Sequence, residues 1–79
     1  MRVMIKNSEG CNEVREINNV SICLNGITLC FSWNNSDDVI LVDTESNFAA
    51  HAVLNDLLSD GQVNLAKCPA EYKPGWKGR

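Results

Sequence analysis

The stretch that decides the fold is residues 20–33, which read VSICLNGITLCFSW. Apolar residues alternate with small or polar residues on both sides of Asn25-Gly26, and this period is typical of β-strands with one buried face. Asn-Gly is favoured in two-residue type I′ turns, because both central positions of such a turn have a positive φ. The sequence therefore predicts an antiparallel hairpin in which Ile22 lies opposite Leu29.

The predicted hairpin places its side chains on two faces. Leu24 and Ile27 pair beside the turn and belong to an apolar face, because side chains alternate across a strand. The apolar face contains Val20, Ile22, Leu24, Ile27, Leu29, Phe31 and Trp33, and the other face contains Ser21, Cys23, Thr28, Cys30 and Ser32. We expect a helix to cover the apolar face, since each layer of a small domain buries its apolar side against another layer.

Patterns elsewhere in the chain predict the remaining elements. Strands are expected at residues 2–6, irregularly at 11–19, centrally at 39–42 and briefly at 62–67. Residues 43–46 contain several possible N-caps and Gly61 is a natural stop, so we expect a helix from about Ser46 to Ser59. Its inner stripe is predicted to hold Ala49, Ala50, Val53, Leu54, Leu57 and Leu58, with Phe48 projecting on the opposite side.

Together these elements predict an α+β fold: an antiparallel sheet of four or five strands centred on the Asn-Gly hairpin, one helix packed on one face, and an extended C-terminal tail. Residues 1–68 are expected to form the single domain, and residues 69–79 the basic, aromatic tail, which contains both prolines. A chain this short buries only about 60% of the surface that it exposes when unfolded. Additional area from the tail or from a partner is therefore expected to stabilise it.

The cysteines and the hydropathy bear on location and on metal binding. No apolar stretch at the N-terminus has signal-peptide length, and the longest aliphatic run is residues 39–42, which predicts a soluble cytoplasmic protein without a membrane partner. In that reducing compartment Cys11, Cys23, Cys30 and Cys68 are expected to be thiols. Their spacing contains no Cys-x-x-Cys pair, so we expect no metal site. A small zinc- or thiol-dependent protein stays open as an alternative, since Cys23 and Cys30 share a face of the hairpin.

Motifs typical of catalysis are missing from the sequence. It contains no glycine-rich phosphate loop, no nucleophile elbow and no His-Glu-x-x-His element. His51 is the only histidine, and we expect it on the polar side of the helix, away from a cysteine that it would have to activate. The sequence therefore predicts a protein that is not an enzyme and that uses no cofactor.

Charge is divided unevenly along the chain, whose net charge is −3. Residues 1–66 contain three basic and nine acidic residues, a net −6, whereas residues 67–79 contain four basic residues and one acidic residue, a net +3. An acidic body disfavours a protein whose whole surface grips nucleic acid, because phosphate contacts need a concentrated positive face. The body is better suited to a basic surface on another protein.

We therefore expect a small non-catalytic binding protein that acts through protein–protein interaction. Its traits resemble those of phage or mobile-element inhibitors of host machinery, including anti-CRISPR-type proteins, in which an acidic surface occupies a basic groove. The residues expected to bind the partner are Glu13, Glu16, Asp37, Asp38, Phe48, His51 and Asn55. Self-association into a homo-oligomer is left open.

The C-terminal tail offers a different function. Its predicted binding residues are Tyr72, Lys73, Trp76, Lys77 and Arg79. They interleave aromatic rings with positive charges, a combination that stacks on bases and neutralises phosphates. The alternative is therefore a nucleic-acid-binding accessory protein. A purely structural role stays open as well, in which Tyr72 and Trp76 fold back over an exposed sheet face.

Overall fold

A computed structural model describes residues 1–34 and 36–76 of the chain. In these residues the chain has an α+β fold with seven strands in two sheets and one helix. In chain order the elements are β1 (Arg2–Lys6), β2 (Asn12–Glu16), β3 (Asn19–Ile22), β4 (Thr28–Ser32), β5 (Val39–Asp43), α1 (Asn47–Asp60), β6 (Gln62–Asn64) and β7 (Ala70–Lys73). Within the described ranges, no helix combines the length and apolar character that crossing a membrane requires.

The strands divide into a three-stranded sheet, in the order β2-β1-β6, and a four-stranded antiparallel sheet, in the order β3-β4-β5-β7. The sequence predicts one sheet, and the difference arises between β2 and β3. The backbone N–H of Ile17 donates to Met1 O at 2.8 Å, whereas the N–H of Asn18 donates to Ser32 O at 2.9 Å. Because consecutive N–H groups point to opposite sides of an extended chain, these two residues join different sheets.

One hydrophobic core lies between the two sheets and the helix. Its buried members are Val3, Ile5, Ile17, Leu29, Phe31, Ile40, Val42, Ala50, Leu57 and Leu65. They come from β1, β4, β5, α1 and the connections between elements, so both sheets and the helix pack against the same centre. As expected of a central strand, β5 lies between β4 and β7, and three of its residues are buried.

The connection between β3 and β4 is wider than the predicted two-residue turn. Ile22 lies opposite Leu29, and Cys23 N donates to Thr28 O at 2.8 Å. The turn itself is closed by Gly26 N donating to Cys23 O at 2.9 Å. The Asn25 side chain explains the wider loop, because its Oδ1 accepts from two backbone N–H groups, each at 3.0 Å, that follow it in the loop.

The helix has the predicted ends but not the whole predicted stripe. The hydroxyl of Ser46 accepts from Ala49 N at 3.1 Å, and Gly61 ends the helix at a φ of 73° with its N–H bonded to Leu57 O. Leu58, which the helical periodicity predicts to face the core, is 82% exposed. Neighbouring residues on a helix point about 100° apart, so Leu57 takes the inward position and Leu58 is turned outward.

The C-terminal part of the chain contributes to the sheet. The strand expected at residues 62–67 ends at Asn64, where β6 lies parallel to β1. Residues 70–73 of the predicted tail form β7, with Tyr72 opposite Ile40. Because β7 covers the open edge of β5, this part of the tail is a structural strand.

Candidate functional site

The outward side of α1 carries the most exposed apolar surface of the helix. Phe48 is 85% exposed and Leu58 is 82% exposed, and His51 and Asn55 are exposed between them. These residues follow one another at intervals of three or four, which places them on one face of the helix. Phe48 and Leu58 lie about 15 Å apart along the helix axis, at 1.5 Å per residue. We call this surface the outer helix face.

A third exposed apolar side chain lies at the end of the helix that carries Phe48. Leu24, in the loop between β3 and β4, is fully exposed. The Nδ2 of Asn47 donates to Gly26 O at 2.8 Å, so this loop is attached to the first residue of α1. Thr44 Oγ1 adds a second attachment by donating to Ile27 O at 2.6 Å. The loop that carries Leu24 is therefore attached to the end of the helix that carries Phe48.

The charged residues near the outer helix face in the sequence are acidic. The sequence contains no lysine or arginine between Arg15 and Lys67, and this stretch contains seven acidic residues. Glu45, Asp56 and Asp60 belong to the helix or to the residues that lead into it, and all are exposed. The apolar side chains of this face are therefore accompanied by negative charge and by no Lys or Arg from the same stretch of chain.

The acidic residues predicted as binding residues do not form one surface. Glu13 and Glu16 are three residues apart on β2, so they project to opposite faces of the sheet. Glu13 Oε2 pairs with Arg15 Nε at 2.7 Å, and Glu16 Oε1 pairs with Arg2 Nε at 3.3 Å. Asp37 is exposed. Of the predicted binding residues, the structure brings Phe48, His51 and Asn55 together on the helix.

Asp38 joins the C-terminal segment to the body. It accepts a hydrogen bond from Tyr72 OH, and its Oδ1 accepts from Gly75 N at 2.8 Å. The guanidinium carbon of Arg15 lies 5.7 Å from the centre of the Tyr72 ring and 5.2 Å from that of Trp33. We call Arg15, Trp33, Asp38 and Tyr72 the tail clasp. These residues are distant in sequence, and no local pattern signals that they meet.

The remaining tail cations are only partly described. Lys73 Nζ pairs with Glu71 Oε1 at 2.7 Å and lies 5.6 Å from the centre of the Trp76 ring. Lys77 and Arg79 lie outside the described residues. Tyr72 and Trp76 remain partly exposed. The described tail side chains are thus in contact with the body or with each other, rather than arranged along a separate positive groove.

The tail clasp shifts two pKa values in opposite directions. The hydrogen bond from Tyr72, followed by that from Gly75 N, lowers the pKa of Asp38 below its usual range. The same bond to Asp38 raises the pKa of Tyr72, because it stabilises the protonated phenol. The Tyr72 contact therefore stabilises the fold below the pKa of an unfolded tyrosine and is lost as the pH rises through the folded value. The Asp38 contribution is present above the pKa of an unfolded aspartate and is lost as the pH falls through the folded value.

Tyr72 is the only tyrosine of the chain, so its titration can be followed without interference. We expect the phenolate absorbance of the native protein to appear at a higher pH than that of the urea-unfolded protein. Asp38→Asn removes the negative charge and is expected to shift the native titration towards the unfolded one. Identical titrations of the native protein and of Asp38→Asn would contradict the clasp. Ser36→Ala, which leaves the tyrosine contact in place, is the control.

The cysteines are free thiols. Cys11 is exposed, and Cys23, Cys30 and Cys68 are half-buried. Within residues 1–34 and 36–76, no three histidine, cysteine or acidic side chains lie close enough together to hold a metal ion.

A surface groove of about 530 Å³ beside Cys23 is bordered by Thr28 and Asp43. There Thr28 Oγ1 donates to Asp43 Oδ1 at 2.7 Å and accepts from Asn25 Nδ2 at 2.8 Å, so these polar groups hold the β3–β4 loop.

Sequence patterns revealed part of the outer helix face and missed the rest. Helical periodicity placed Phe48, His51 and Asn55 outside, but it assigned Leu58 to the core and Leu24 to the apolar face of the hairpin. The adjacent Leu57 and Leu58 are the available signal, because Leu58 lies about 100° from Leu57 and therefore at the edge of the apolar stripe. The position of Leu24 depends on the wider loop.

Comparisons with protein-family models, curated proteins and solved structures gave no match, so these surfaces are the evidence for function.

Proposed function

We propose that this protein is a non-catalytic binding protein that acts by attaching to a positively charged surface of another protein. One observation carries the proposal: Phe48 and Leu58 are exposed on the same helix face, in a stretch of chain with seven acidic residues and no Lys or Arg. Large apolar side chains that share one exposed helix face are typical of helices that dock in a groove. Acidic residues around them favour a basic partner and speed its association.

The outer helix face has the form of a helix that docks into a groove. Phe48 and Leu58 supply apolar anchors at its two ends, and His51 and Asn55 supply polar groups between them. Positions 48, 51, 55 and 58 of this face are separated by three, four and three residues, the spacing of helices that dock in grooves. The helix is held by its buried side and capped at both ends, so little conformational entropy is lost when the outer side is covered.

A basic groove on another protein is commonly a nucleic-acid site, because phosphate binding needs concentrated positive charge. We therefore propose more narrowly that the protein inhibits nucleic-acid-handling machinery of a host cell by covering such a groove. Its small size and acidic body support comparison with inhibitors encoded by phages or mobile elements, including those directed against CRISPR systems.

The proposal is tested by comparing variants in affinity capture from a lysate with and without nuclease treatment, followed by measurements on the purified partner. We expect Phe48→Ser with Leu58→Ser to weaken binding by roughly several hundredfold, since anchor residues contribute roughly 2 kcal/mol or more each. Asp56→Lys is expected to slow association and to reduce its dependence on salt. Ser8→Ala, at an exposed turn position between β1 and β2 and outside the helix, is the control and should bind normally.

Two results would overturn the proposal. One is a partner that binds the Phe48→Ser, Leu58→Ser protein as tightly as it binds the original protein. The other is recovery that depends on nucleic acid and is lost with Trp76→Ala, which would favour the nucleic-acid-binding alternative. A point substitution is preferred to removal of residues 69–79, because β7 belongs to the four-stranded sheet. The contacts of Tyr72 and Lys73 with Asp38 and Glu71 give that alternative less support.

A further inference from the structure

The outer edge of β2 is open. β2 is the edge strand of the three-stranded sheet. On its inner edge, Ile17 N bonds to Met1 O and Cys11 O accepts from Asn7 N, so the odd-numbered residues of this segment turn their backbone groups towards β1. Backbone groups alternate along a strand. The N–H and C=O groups of Asn12, Val14 and Glu16 therefore point away from the sheet.

The outer edge of β2 is also accessible. Val14 is 56% exposed, and Asn12 and Glu16 are exposed on either side of it. Among the described residues, no hydrogen bond involves the outward backbone groups of these three residues. An open row of backbone donors and acceptors is a template for pairing with another strand.

The sequence of β2 is complementary to itself in the antiparallel direction. In a pair of β2 strands centred on Val14, Glu13 of one copy lies opposite Arg15 of the other, and Arg15 lies opposite the second Glu13. Opposite charges facing each other across two strands stabilise the pair. Val14 faces its own copy on the exposed side of the sheet, and Asn12 faces Glu16. Glu13 and Arg15 already lie on one face, where they form an ion pair at 2.7 Å.

We propose that this protein forms a two-fold symmetric dimer by antiparallel pairing of β2 with β2 of a second copy. The two three-stranded sheets join into one six-stranded sheet. The new hydrogen bonds come from the Val14 pair on the axis and from the two pairs of Asn12 with Glu16. A two-fold interface uses the same surface on both copies. β2 can form such an interface because its sequence is complementary to its own copy in the antiparallel direction.

Other exposed surfaces fit a second copy less well. Two outer helix faces would bring acidic residues together without a Lys or Arg from the same stretch of chain, and like charges repel. β3 is an edge strand of the other sheet, but Asn19–Ile22 contains no charged residue that could set a register. A β7 pair centred on Tyr72 would also place Glu71 opposite Lys73, but it would place Ala70 opposite Pro74, which has no N–H to donate. Opposite charges and a full set of backbone donors are therefore combined on β2.

The oligomeric state tests this proposal independently of any partner. We expect analytical ultracentrifugation to show a concentration-dependent dimer with twice the 8.7 kDa mass of one chain. Val14→Lys places two positive charges on the axis and is expected to raise the dissociation constant at least about tenfold. Ser21→Lys, at another exposed strand position, on β3, is the control and should dimerise normally.

Swapping the charges of Glu13 and Arg15 and measuring hydrogen exchange of backbone amides provide two further tests of the dimer. Arg15→Glu puts a carboxylate opposite Glu13 of the second copy and should abolish the dimer, whereas combining it with Glu13→Arg restores opposite charges and should recover it. Hydrogen exchange should protect the amides of Glu13 and Arg15 at every concentration, but that of Val14 only in the dimer. A monomer at all concentrations, a dimer that survives Val14→Lys, or a Val14 amide that stays unprotected in the dimer would overturn the proposal.

Discussion

Replacing Phe31 with alanine is expected to lower the free energy of unfolding by about 3–5 kcal/mol, the range for removing a fully buried aromatic ring. Phe31 has 0% exposure and lies in the middle of the four-stranded sheet, opposite Val20 on β3 and Ile40 on β5. Its ring therefore belongs to the core, and the strands on both sides of β4 limit how far the structure can close around the space that the ring leaves. A domain of this size has a total stability at the low end of about 5–15 kcal/mol.

Urea denaturation followed by circular dichroism measures this effect. Phe48→Ala removes the same ring from an 85% exposed position and is the matched control, with an expected change within about 0.5 kcal/mol. Equal losses in the two variants would mean that Phe31 is not at the centre of the core. The same loss for Phe48 would also remove the reason for regarding it as a free anchor.

The second large effect is expected within one pair of adjacent leucines. Leu57→Ala should lower the free energy of unfolding by about 2–5 kcal/mol, because Leu57 is buried in the core and its removal leaves a cavity. Leu58→Ala should change the stability by no more than about 0.5 kcal/mol, because that side chain is exposed. Both changes remove the same atoms and both keep helix propensity favourable.

The two leucines should show the opposite order in partner binding. Leu58→Ala removes an anchor of the outer helix face and is expected to weaken binding while leaving stability unchanged. Denaturation and binding measurements on both variants therefore separate a structural role from a binding role. If Leu58→Ala destabilised the protein as much as Leu57→Ala, the helix would present a different face to solvent, and the proposed docking surface would be wrong.

Much of the secondary structure follows from patterns that extend over a few residues. Alternation marks the strand at residues 2–6, a continuous apolar run marks the strand at residues 39–42, and the Ser46 cap and Gly61 stop mark the helix. Such signals are readable because periodicity, capping and positive φ depend on residues within one or two turns of each other. The composition alone also revealed an acidic body and a basic C-terminal segment.

The outer helix face could be predicted in part from the sequence, because only some of its side-chain positions depend on neighbouring residues. Helical spacing located Phe48, His51 and Asn55 on the outside, since the direction of a side chain follows from its position in the helix. The exposure of Leu24 depends instead on how the Asn25 side chain competes with the backbone for hydrogen bonds in the loop. Asn25-Gly26 suits both a two-residue turn and the wider loop. In the wider loop, the side chains of Thr44 and Asn47 donate to the backbone carbonyls of Ile27 and Gly26.

Local sequence therefore specifies the elements of this protein and the sign of its surface charge, because both depend on neighbouring residues. The division into two sheets, the use of residues 70–73 as a strand and the tail clasp all join residues far apart in the chain. Alternation shows which side of a strand is apolar but not which strand lies beside it. Those pairings are selected by burial of one shared core, to which distant segments contribute together, and no single segment encodes that outcome.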